Sequence, residues 1–243
     1  MDYAAVRSRA SHGLDAPQVR VEVHISSGLP AFTVVGMPET AVRESRDRVR
    51  SALLNSFFAF PDGRITVNLA PADLPKGGGR FDLPIALGIL SASGQLPADR
   101  LADVECLGEL ALDGTVRDVR GAITAVMAAS AAGRRVALPE AAASRCALVT
   151  GARLLPAGDL LSLCAVLRGQ AEAPAIDAPA IDAQGSAPDL RDVIGQRVAR
   201  RALEIAAAGG HNLLMYGPPG TGKSLLASCL PGILPPAGPQ ERL

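Results

Sequence analysis

The sequence predicts an α/β protein built in two parts, and three observations predict it. Residues 1–168 alternate between stretches of period two and stretches of helical period, with turn residues between them. Residues 169–188 carry the pentapeptide Ala-Pro-Ala-Ile-Asp twice in succession, at 173–177 and 178–182. So few residue types and so much proline cannot bury enough surface to offset the ordering entropy, so the stretch reads as an extended linker. Residues 189–243 hold a glycine-rich octapeptide between an apolar run and a helix-forming run.

Val19, Val21, Val23 and Ile25 alternate with Arg20, Glu22 and His24, which predicts a strand with one buried face. Ala31–Val35 is a second strand candidate. Residues 39–55 shift to helical spacing, with Val42, Val49, Leu53 and Leu54 turned inward. Arg64–Ala70 returns to a strand. Asp82–Ser93 reads as a helix capped by Asp82, with Pro84 in its first turn. Val104–Leu112 and Thr115–Val119 flank Asp113-Gly114, a hairpin signal that makes the sheet not wholly parallel. Ala122–Ala132 is a helix stopped by Gly133. Shorter strands and a helix over 157–167 complete the first part. In the second, a helix over 189–208 stops at Gly209-Gly210, Asn212–Tyr216 is an apolar strand, and a helix over 225–230 ends at Pro231-Gly232.

Composition excludes several classes. Basic and acidic residues balance at 24 each, which rules out a bulk polycation and an acidic tail. Aromatics are 3% with no Trp, which argues against an aromatic platform for single-stranded nucleic acid. Cys106, Cys146, Cys164 and Cys229 are scattered, without zinc or disulfide spacing. His12, His24 and His211 have no companion at metal-ligand spacing and read as structural. The N-terminus lacks the apolar region of a signal peptide and no apolar run approaches ~20 residues, so a soluble, cytoplasmic protein is expected.

The chemistry concentrates in Gly217-Pro218-Pro219-Gly220-Thr221-Gly222-Lys223-Ser224, which satisfies G-x-x-x-x-G-K-[ST]. Glycines let the backbone curl so that successive amides point into one concavity, which favours phosphate oxygens at a helix N-terminus. Lys223 supplies a point charge for the β- and γ-phosphates, and the Ser224 hydroxyl suits Mg²⁺. Only Lys76 and Lys223 are lysines among the 24 basic residues, so lysine stands where a compact ammonium serves better than a guanidinium.

The run Asp192-Val193-Ile194-Gly195-Gln196, then 202–212, then this loop, resembles the magnesium-chelatase-related AAA+ ATPases of the YifB/ComM family. The first part resembles the same family in Gly13-Leu14-Asp15-Ala16, Gly28-Leu29-Pro30, Val35-Gly36-Met37-Pro38, Glu44-Ser45-Arg46, residues 68–76 and residues 108–114. The resemblance implies that residues 1–168 form a Lon-protease-like domain of the ribosomal-S5-domain-2 type and that 189–243 open a P-loop AAA+ module. It implies ATP and Mg²⁺ as ligands, Ile194, Gly195 and Gln196 near the adenine, and a hexameric ring acting on DNA. A chelatase-like motor for metal insertion, or a non-catalytic adaptor, are the alternatives. No later strand carries a Walker B acidic pair, and sensor, arginine finger and lid are also lacking. The chain therefore reads as the N-terminal portion of a longer ATPase, with inefficient turnover expected of it alone.

A Lon-like domain raises a Ser–Lys peptidase as a rival. In the alignment the resemblance implies, Arg80 stands at the serine position, and no lysine lies between residues 77 and 222, so the dyad is absent. The loop Lys76–Arg80 could instead hold an anion through amides and two cations, or serve only as the turn into the next helix. Arg43, Arg46 and Arg50 share a helical face and could meet DNA phosphates, although Glu39, Glu44 and Asp47 are interleaved as on an ordinary solvated face.

Overall fold

The chain divides near residue 180 into two units. The computed structural model describes residues 2–39, 42, 44–176, 187–235, 237–238 and 241. The second copy of the linker pentapeptide, residues 178–182, and Asp177 of the first lie outside the described residues.

In the first unit, period-two alternation sets a sheet. Strand β1 (Tyr3–Arg9) runs antiparallel to β2 (Gln18–Ser26), with Val6 opposite Val21. Beyond a third strand, β3 (Ala31–Val35), comes helix α1 (Ser45–Asn55), then β4 (Arg64–Ala70), antiparallel to β2 and parallel to β3. Helix α2 (Asp82–Ala92) leads to β5 (Val104–Cys106), which pairs parallel with β1. A small antiparallel hairpin, β6 (Glu109–Leu110) and β7 (Val116–Arg117), follows. Then come α3 (Ala122–Ala131), β8 (Arg135–Pro139), α4 (Glu140–Cys146), β9 (Arg153–Ala157) and α5 (Leu160–Leu167). Among the described residues the main sheet has seven strands, ordered β3-β4-β2-β1-β5-β8-β9, and most of its pairings are parallel. The α/β class is as the sequence predicts.

Two apolar clusters cover the sheet. Ala137 belongs to one, while its neighbours Val136 and Leu138 belong to the other, as alternation on a strand requires. Helix α2 is buried along its whole length because it packs on β1 and β2 and against α1. Gly88 makes the approach possible: a Cβ there would stand 2.6 Å from Val23 Cγ2. Gly88→Leu is expected to overpack this contact and cost about 1–3 kcal/mol. Urea denaturation of the whole chain measures it, and unchanged stability would refute the account.

Several expectations need correction. Asp82 does not cap its helix; it is the first helical residue, and its carboxylate binds Arg48 and Ser45 instead. Leu54 is exposed, because α1 turns only Val49, Ala52 and Leu53 to the core after Val42. The long hairpin expected over 104–119 is divided: β5 joins the main sheet, and only the short β6–β7 pair closes around Gly114 at φ +92°.

In the second unit the helix expected over 189–208 is broken. A 3₁₀ turn, Leu190–Asp192, capped by the Asp189 carboxylate, precedes left-handed Gly195 and Gln196 (φ +72° and +49°). Helix α6 (Arg197–Gly209) begins after them and is closed by left-handed Gly210. Residues 212–216 are not a strand, because no described segment of this unit pairs with them. Helix α7 (Lys223–Ser228) starts two residues before the expected one. Pro231-Gly232 does not end it but lies within a further single turn, α8 (Leu230–Ile233), where proline near the helix start is tolerated. Leu190, Val193, Leu203, Leu226 and Cys229 form the small core.

Candidate functional site

The glycine-rich loop of the second unit is organised around Lys223. Its Nζ donates to Gly217 O at 2.9 Å, to Pro218 O at 2.6 Å and to Thr221 Oγ1 at 3.3 Å. Thr221 Oγ1 in turn donates to Pro218 O at 3.0 Å. The curl that gathers these oxygens needs positive φ at Gly220 and Gly222 (+80° and +83°), where a side chain would strain the backbone. Gly222 is the left-handed cap of α7, so the loop runs directly into a helix start, and Ser224 lies exposed in its first turn.

Gln196 reaches this loop: its Nε2 donates to Thr221 O at 2.9 Å. Gly195 supplies the left-handed turn that aims it. Ile194 does not join them; it is 96% exposed and is not part of the lining of the cleft beside the loop. Beside the loop lies a cleft of about 520 Å³, walled by Val198, Ala199 and Ala202 of α6 and by Leu213–Pro218. The sequence reading missed the three α6 residues. Ala202 stands three residues after Ala199 and four after Val198, on one face of a helix that leads into the loop, and that spacing is the signal that could have found them.

The other candidates separate. Arg43 lies outside the described residues. Arg46 and Arg50 border a hollow of about 190 Å³ with Phe32 and Phe60, and the Arg50 guanidinium sits 5.3 Å from the Phe60 ring centre. Arg46 is within 3.6 Å of Asp47. In the loop 76–80 the two cations part company. Lys76 is fully buried and its Nζ donates to Pro71 O; burial holds its pKa below the usual value, against the pull of Asp73. Arg80 is also buried, but lines a separate cavity.

All four cysteines are free and buried. Burial pushes Cys106 upward, Cys146 up to about 11 and Cys164 up to about 12. Among the described residues no group of three or more His, Cys, Asp or Glu is placed to hold a metal, and no helix is long and apolar enough to cross a membrane.

Comparison with known proteins supplies the wider setting. A family model described as subunit ChlI of Mg-chelatase matches residues 21–142, and one described as magnesium chelatase, subunit ChlI, matches residues 189–243. YifB of Salmonella typhimurium is 51% identical over 100% of this chain, and YifB of Escherichia coli 50% identical over 100%. The competence protein ComM of Haemophilus influenzae is 52% identical over 97% of it. This chain covers 48%, 48% and 47% of those three proteins, so it spans about half the length of the curated relatives it matches.

Proposed function

The chain belongs to the magnesium-chelatase ChlI-related family that includes YifB and ComM, and from that membership we propose that its second unit grips the phosphates of ATP within an AAA+ ATPase. Lys223 carries this reading. Its ammonium is gathered by three loop oxygens at a helix start, and in this reading it turns to phosphate as a point charge. The residues fit Mg²⁺ as well, since the Ser224 hydroxyl is exposed one residue beyond Lys223. When bound, Mg²⁺ neutralises phosphate charge. The cleft of Val198, Ala199, Ala202 and Met215 is apolar enough for a nucleobase, and Gln196 fixes its edge to the loop. Calorimetric titration of the whole chain with ATP and Mg²⁺ tests the reading. Saturable binding that depends on Lys223 supports it, and its absence at millimolar nucleotide leaves an adaptor.

The whole protein is proposed to work as a hexameric ring on DNA, in keeping with the name of its competence relative. The first unit is read as a Lon-like domain without a protease dyad, serving assembly or partner contact. Arg46 and Arg50, one helical turn apart, are the candidate phosphate contacts. Arg46→Ala/Arg50→Ala is expected to flatten the dependence of log K on log salt by roughly 1–2 units, because each lost contact removes about 0.9. Fluorescence anisotropy over a salt series reads the slope; an unchanged slope removes these residues from the interface.

A further inference from the structure

The first unit holds a cavity of about 560 Å³, within the range of small-molecule sites. The loop Gly77–Arg80 lines one part of it, Glu39 and Glu109 another, and Asp118–Arg120 a third.

Arg80 is the anomaly. It is 4% exposed, and its Nη2 donates to Arg120 O at 3.1 Å. Its Nε and Nη1 are buried with no hydrogen-bond partner among the described residues. A guanidinium stays charged in proteins and carries five N–H donors. Leaving most of them without acceptors is costly, and breaking or omitting the partner of a buried charge is more so. Burial pulls its pKa down, with no carboxylate opposing. Lys76 does not share the cavity, because its ammonium is engaged by Pro71 O.

The carboxylates are placed by the glycines. A Cβ on Gly77 would collide with the Glu39 carboxylate, and one on Gly79 with that of Glu109. Glu39 is anchored by its own N–H, which donates to Lys76 O at 3.0 Å. Asp118 is already occupied, 2.5 Å from Arg145. The lining thus combines cations, the undersupplied guanidinium of Arg80 and the exposed Arg120, with carboxylates, those of Glu39 and Glu109, the latter also in the field of Arg48. A polyphosphate would satisfy the first and be repelled by the second.

We propose that this cavity binds a small amphoteric molecule, of the amino-acid or short-peptide class, whose carboxylate takes the donors of Arg80 and whose ammonium is received by Glu39 and Glu109. Because Nε and Nη1 are buried, binding requires the guanidinium to turn about its Arg120 anchor toward the ligand. The site lies in the other unit from the glycine-rich loop and does not depend on nucleotide binding.

The test uses the whole, isotopically labelled chain and the dipeptide Gly-Lys as probe, with its C-terminal amide and inorganic phosphate alongside. Gly-Lys is expected to shift the amide signals of Gly77, Gly78 and Gly79 saturably. Blocking its carboxylate as the amide, or replacing the protein's Arg80→Met, is expected to weaken binding about tenfold or more. Arg80→Met should also raise the Tm of the ligand-free protein, because it removes a buried charge whose Nε and Nη1 have no acceptor among the described residues. Glu109→Gln, at a half-buried position, gives an independent weakening if Arg80→Met does not fold. The proposal is overturned by phosphate binding more tightly than Gly-Lys, by affinity unchanged in both variants, by a lowered Tm in a folded Arg80→Met, or by no saturable shift at millimolar dipeptide.

Discussion

Lys223→Ala is expected to weaken binding of ATP with Mg²⁺ by roughly 10- to 150-fold, the equivalent of losing one charge-assisted hydrogen-bonding group worth about 1.5–3 kcal/mol. The same variant should leave the protein's thermal stability nearly unchanged, because the loop around Lys223 is mostly exposed and Lys223 is not itself part of the small core of Leu203, Leu226 and Cys229. Lys223→Arg distinguishes geometry from charge. The ammonium sits among Gly217 O, Pro218 O and Thr221 Oγ1, all within 3.3 Å, a space that a planar guanidinium does not fill in the same way. Arginine should therefore recover little of the affinity although it keeps the charge. Calorimetry on the whole chain decides: equal affinity in Lys223→Ala removes the loop from nucleotide binding, and full recovery in Lys223→Arg reduces its role to charge alone.

How much was legible in the sequence follows from how local each constraint is. Strand β2 could be read because one face is buried and the other is not, so Val19, Val21 and Val23 alternate with polar neighbours. Strand β1 could not. Its stretch Tyr3–Arg9 contains two arginines, and buried Arg9 is satisfied by Glu105, 96 residues away, which accepts from its Nε at 2.6 Å and its Nη2 at 3.0 Å, and by Ala16 O, which accepts from its Nη1 at 2.9 Å. Asp82 looked like a cap for the same reason: its partner is Arg48, 34 residues upstream, and no local pattern announces that pairing. Residues 212–216 have the composition of a strand, but a strand also needs a neighbour to bond with. The turn of the glycine-rich loop was legible, since the positive φ of Gly220 and Gly222 falls on residues of the motif itself, whereas the strand expected before it was not. The cavity at Arg80 was only half legible. The loop's two cations suggested an anion, whereas Lys76 turns to Pro71 O and Glu39 and Glu109 converge from distant segments.

Arg48→Met should be among the most destabilising single substitutions in the first unit, at about 3–5 kcal/mol. Asp82 is fully buried at the start of α2, and Arg48 of α1 grips it twice, Nε to Oδ2 at 2.7 Å and Nη2 to Oδ1 at 3.1 Å. Ser45 Oγ and the Leu110 N–H also donate to the same carboxylate. The pair thus ties α1, α2 and the β6–β7 hairpin together. Burial pushes the Asp82 pKa up even with these bonds in place, while the pairing raises that of Arg48. Without the guanidinium, burial acts on Asp82 with less opposition, and the folded state holds a proton that the unfolded chain releases near pH 4. Stability then falls as pH rises through the folded pKa and recovers as pH is lowered, so the deficit relative to the native chain should shrink between neutral pH and about pH 5. Arg48→Met/Asp82→Leu should regain much of the loss at neutral pH, because no charge is then left buried without its partner. Urea denaturation at the two pH values reads both effects; a deficit that grows on acidification, or a double variant as weak as the single one, would show that the pair does not join these elements electrostatically.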